Sequence, residues 1–227
     1  MDERAVRRVA AIAGIAFVVL LIVSIVLTIP APMPNKSAAK IVKWFADHRG
    51  AVFTSNVLGG LSTVVFLWFL GYLHHRLSEL AGGARALSSI VLTSGVATVT
   101  IATLSGLPFA ALAVTASRPG VTPSEGVVHM LADLNGFGIA LIGFGLTVFL
   151  AGLGLELAQG AIGPRWASWA AYVGAILNLV GSVAGFFVSK SGKGNPAGIA
   201  GLIGLVLFLV TVVAISADLF GSADAPA

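Results

Sequence analysis

Residues 125–147 read EGVVHMLADLNGFGIALIGFGLT, an apolar run with three ionisable side chains near its start. At helical spacing Glu125, His129, Asp133, Gly136, Ala140, Gly143 and Thr147 fall on one face. The run stays largely apolar to Leu157, long enough to cross a bilayer, which takes about 20 residues. Ionisable groups inside such a span mark a functional site by default.

The same pattern recurs outward from this stretch. The 227-residue chain is 57% hydrophobic and 10% charged, with a mean hydropathy of +1.00, whereas soluble chains carry about 25% charged residues. Charged residues cluster between apolar runs, which places spans at about 9–29, 51–73, 86–113, 127–157, 166–189 and 197–217. The expected fold is all-α: a polytopic membrane protein with a six-transmembrane-helix bundle in one domain, residues 1–227. The first run follows DERAVRR and is too long for the apolar region of a signal peptide, so it reads as a retained helix.

Pro30, Pro32 and Pro34 end that helix. In SAAKIVKWFADHRG, residues 37–49 are expected to form a short amphipathic helix, capped by Ser37 and lying on the outer headgroups. Ile41, Trp44 and Phe45 share one side, with Lys36, Lys40, Lys43 and Asp47 largely on the other. Trp68, Tyr72, His74, His75 and Arg76 read as an interfacial anchor. Pro108 frees the carbonyl of Leu104, and Thr122, Pro123 and Glu125 resemble a capped helix start. Gly136 and Gly143, then Gly174, Gly181 and Gly185, then Gly201 and Gly204 form stripes expected to pack helix on helix.

A net charge of +4 without a long basic run or an aromatic-interleaved basic patch argues against nucleic acid and for the bilayer with its anionic lipids as partner. Zero cysteines exclude disulfides, thiolate metal sites, iron–sulfur clusters and cysteine nucleophiles. The serines lack a nucleophile motif, and GFG and GLG follow no strand, so neither hydrolase nor nucleotide chemistry is indicated. Arg4, Arg7, Arg8, Arg76, Arg85 and Arg165 lie on the side of the termini. Arg118, Lys190 and Lys193 lie opposite once the amphipathic helix is set aside. This asymmetry favours cytoplasmic termini.

The stretch GPRWASWAAYVGAI, residues 163–176, opens a span with Gly163, Pro164, Arg165 and Trp166. There the chain resembles uncharacterised bacterial six-helix integral membrane proteins grouped under a domain of unknown function. The likeness covers most of the chain in layout and this motif in residues. It implies a bacterial inner-membrane location and no particular activity.

In this topology Asp47 and His48 lie at the level of Glu125 and His129. Asp133 and Asn56 lie a turn or two deeper, and Asn178 is midway along its span. Glu125, His129 and Asp133 could pass a proton, and His129, His48 and Asp133 have the chemistry of a divalent-metal site. The residues name no cofactor. A purely structural reading stands beside these, with Glu125 capping its helix, His129 facing water, and Asp133 paired with His129, Arg118 or Asn56. Three functions stay open. One is small-ligand or ion binding and transport at an outer polar site bordered by Asp133, His129, Asn56 and Asn178. Another is an accessory subunit whose glycine faces meet a protein partner or a second copy, and the third is a metal-dependent membrane enzyme.

Overall fold

The computed structural model describes residues 2–29, 31–32, 34–80, 85–160, 162–187 and 196–223. The expected end of the fifth span at 188–189, the loop carrying Lys190 and Lys193, and the turn at 81–84 lie outside the described residues. The helices are α1 (Glu3–Thr28), α2 (Ala38–Asp47), α3 (Arg49–Leu80), α4 (Arg85–Ala116), α5 (Glu125–Ala158), α6 (Trp166–Phe187) and α7 (Pro196–Ala223). All but α2 are long and apolar enough to cross a membrane. The protein is an all-helical, multi-pass membrane bundle with one short amphipathic helix.

Several helices run past the ends expected from the apolar pattern, because turns that leave lipid can stay helical in water. α3 and α4 have 32 residues each and α5 has 34, against 22 in α6. At α1 the Asp2 side chain accepts a bond from the Arg4 backbone N–H. Ser37 does not make the side-chain cap bond expected at the start of α2, and Ser124, which stands at the N-cap of α5 in place of the expected Thr122, makes none either. The α5–α6 turn is made by Gly160 and Gly163, both at φ 75°, a region costly for residues with a Cβ.

The six spans follow chain order around a ring: α1 on α3, then α4, α5, α6 and α7, which closes on α1. Phe17, Phe66, Phe149 and Phe208 fill its middle, each at most 3% exposed, with ring centroids 4.4 Å apart for Phe17–Phe66 and 5.7 Å for Phe149–Phe208. Here apolar burial and edge-to-face ring geometry act together. The four rings are in mutual contact across the centre of the ring at this level.

Small residues set the helix register. Down α5, Gly138, Gly145 and Gly152 meet Ser105, Thr98 and Val91 of α4, a seven-residue step on both helices. Among the glycines expected to pack, Gly143 meets Ser182, Gly174 meets Leu150 and Leu207, Gly185 meets Ala140, Gly201 meets Gly181, and Gly204 meets Asn178. Gly136 is the exception. A Cβ there would meet nothing within 4 Å, so its place on the α5 stripe has no packing role among the described residues.

This register also fixes levels. Phe186 near the end of α6 stacks on Phe137 at 5.6 Å, and α7 begins beside the end of α6. Ser24, one turn before the end of α1, bonds Ser55 of α3. From Phe137 to Ala158, α5 runs about 32 Å at 1.5 Å per residue, one hydrocarbon thickness. The first three turns of α5, the end of α4 and the start of α3 pass beyond that level to form a cap on the side away from the termini. α2 packs on this cap: Ile41 and Phe45, each 1% exposed, join Val52, Leu112, Ala113 and Val128 in a second small core. The apolar side of α2 is thus turned into protein, and its lysines outward.

Candidate functional site

The polar residues at the end of the bundle away from the termini do not converge. Asp133 is exposed and has no partner among the described residues; the pairings open to it in sequence, with His129, Arg118 and Asn56, are not formed. Its place follows from the register: it sits one turn above Phe137, about 6 Å beyond the end of α6. The α5 face that carries Asp133 and Gly136 is the one α6 covers lower down, at Ala140, Gly143 and Thr147. The single stripe of the sequence therefore has two surroundings.

His129 donates its Nδ1–H to the carbonyl of Pro34 at 3.0 Å, while its Nε2 lies 3.7 Å from Glu125. A carbonyl can only accept, which fixes the Nδ1–H tautomer of the neutral ring. His48 likewise donates to Trp44 O at 2.9 Å and stacks on the Trp44 indole, with centroids 4.5 Å apart. Each imidazole is thus tied to a backbone carbonyl, His48 within its own turn and His129 across to the segment before α2. Among the described residues no three His, Asp or Glu side chains form a group able to hold a metal, so the expected set of His129, His48 and Asp133 is not assembled.

The two asparagines serve separate seams. Asn56 donates to Val52 O at 2.9 Å, and its Oδ1 points at Gly106, where a Cβ would come within 2.6 Å of it. Asn178, 3% exposed, donates to Gly174 O at 2.8 Å and lies against Gly204. Asn56 is half-buried at the α3–α4 contact, and Asn178 is buried between α6 and α7. They do not border one cavity.

The buried charge is at the other end. Glu156 is 1% exposed, and its Oε1 has no hydrogen-bond partner. It is the one charged side chain among the described residues classed as buried. Most other buried polar groups, such as Thr98, Ser105, Asn178, Thr211 and Ser216, bond a carbonyl of their own helix. Glu156 follows Phe149 by two turns and Leu153 by one, so it points inward. The α4–α5 register sets it level with Leu87 and Ser88, four residues beyond the Gly152–Val91 contact.

A polar knot lies at that level. His74 donates its Nδ1–H to Ser88 O at 3.1 Å, Ser78 bonds the Ser88 hydroxyl at 3.0 Å and donates to His74 O at 2.8 Å. The sequence pattern puts His74 and Tyr72 in an interfacial anchor; the structure turns Tyr72 inward to 7% exposure and leaves Trp68 at the surface. Sequence reasoning passes over Glu156 because it sits in the last turn before a loop, where a charge is ordinary. The signal available is a lone carboxylate in GLGLEL, flanked by leucines on both sides.

No family model, curated protein or solved structure matches the chain. The likeness at Gly163–Trp166 therefore rests on that motif and the six-span layout.

Proposed function

We propose that the chain is a multi-pass membrane protein that binds a small ion or ligand at Glu156, on the side of the termini rather than in the outer half of the bundle. The observation that carries this reading is a carboxylate side chain only 1% exposed whose Oε1 has no hydrogen-bond donor. An unpaired charge in a protein interior costs several kcal/mol, so the carboxyl group is held more favourably once a proton or small cation neutralises it. On α3 and α4 the hydroxyls of Ser78 and Ser88 and the Nε2 of His74 are the neutral oxygen and nitrogen groups at the same level. The phenylalanine plug, about 10 Å away towards the bundle centre, favours binding from one side over passage in this conformation. Inner-membrane location and cytoplasmic termini belong to the same proposal, supported by the arginine asymmetry and the six-helix resemblance.

Purified protein and Glu156→Gln should be compared for thermal stability across a series of monovalent and divalent cations and across pH. We expect the wild type to respond to pH or to one cation, and the variant to be more stable and indifferent to both. A variant that keeps the wild-type response would overturn the assignment.

A further inference from the structure

We propose that the outward side of α2 is a binding site for the phosphate headgroup of an anionic lipid in the adjoining leaflet. Pro32, Lys36, Lys40, Lys43, Trp44 and Asp47 line an open hollow of about 330 Å³. The hollow has a fixed orientation, because Ile41 and Phe45 hold the opposite side of α2 in the cap core. Lys43 bonds Asp47 at 3.0 Å. Lys36 and Lys40 have no partner among the described residues, so the hollow keeps two uncompensated ammonium groups.

Its position points to lipid rather than to a soluble anion. The chain leaves α1 at Thr28 and reaches Pro32 within four residues, so this wall of the hollow starts where the α1 span ends. α6 ends and α7 begins near the same level. Lysines just beyond the hydrocarbon meet the negative surface of an anionic leaflet, and the Trp44 ring beside them suits the headgroup zone. The volume lies at the lower end of ordinary small-ligand sites, room enough for a headgroup. This site is independent of Glu156.

The test is lipid retention by the full-length protein, titrated with phosphatidylglycerol or phosphatidylcholine of equal chain length and read by native mass spectrometry. We expect phosphatidylglycerol to bind better, more weakly at high salt, and about tenfold or more less well in Lys36→Gln/Lys40→Gln. Arg118→Gln, which changes an exposed cation outside the hollow, should bind as the wild type does. Equal binding of the two lipids, or undiminished phosphatidylglycerol binding by the double variant, would overturn the proposal. So would inorganic phosphate displacing the lipid at equal concentration, which would mark the hollow as a soluble-anion site. The lysines are exposed, so the double variant folds; an unchanged thermal midpoint verifies this.

Discussion

The side-chain amide of Asn135 donates to the carbonyl oxygen of Ser105 at 2.7 Å, beside Leu104, whose carbonyl Pro108 deprives of its helical donor. The α5 helix thus supplies a donor where the backbone ladder of α4 is weakened. Replacing Asn135 by Ala should destabilise the bundle by about 0.6 to 2 kcal/mol, the range for interhelical bonds in membranes. Thermal unfolding in detergent reads this, and an unchanged midpoint would mean that water serves the carbonyl equally well.

Gly136 and Gly138 are two residues apart and should respond with opposite signs. A Cβ at Gly138 would lie 2.6 Å from the Ser105 Cβ and 3.2 Å from its Cα, whereas one at Gly136 meets nothing. Gly138→Ala should cost about 1 to 3 kcal/mol through overpacking. Gly136→Ala should gain about 0.5 to 1 kcal/mol from reduced backbone entropy. Two losses of similar size would show that Gly136 is covered.

Asp133 is expected to behave as a surface residue. In the centre of a span an aspartate costs about 2.5 to 3.5 kcal/mol, but one turn above the end of α6 it reaches water. Asp133→Asn should therefore shift stability by no more than about 0.5 kcal/mol. Because the chain has no cysteine, Asp133→Cys gives a single label site, and a membrane-impermeant maleimide should react with it from one side of sealed vesicles. Resistance to the reagent from both sides would place Asp133 inside the bilayer or the protein.

Phe149 touches both Phe66 and Phe208 in the central plug. Truncation to Ala should cost about 3 to 5 kcal/mol. It should also raise the passive permeability of reconstituted vesicles to small ions if the plug seals the ring, and unchanged leakage would locate the barrier elsewhere.

Asp218 near the end of α7 accepts the Gly163 N–H at 3.0 Å, tying the turn before Trp166 to the last span. Asp218→Ala should lower stability by about 1.5 kcal/mol, the low end of the range for bonds to a charged group, because Asp218 is exposed. Faster proteolysis at residues 160–166, with the rest of the chain still protected, would be the accompanying sign.

The number and approximate position of the spans, the amphipathic nature of α2 and most of the packing glycines were legible in the sequence. Each follows from a local rule: lipid demands long apolar runs, a surface helix alternates with period 3.6, and close helix approach selects glycine. The surroundings of particular polar residues were not legible. Asp133 sits in a run that looks fit for lipid, yet Leu112, Val128 and their neighbours are apolar because they bury α2. Glu156 looks like a terminal charge, yet α5 turns it inward beneath Phe149. Depth is a property of which helices end beside which, and that was decided only when the seven-residue register of α5 on α4 and the short reach of α6 were set in three dimensions.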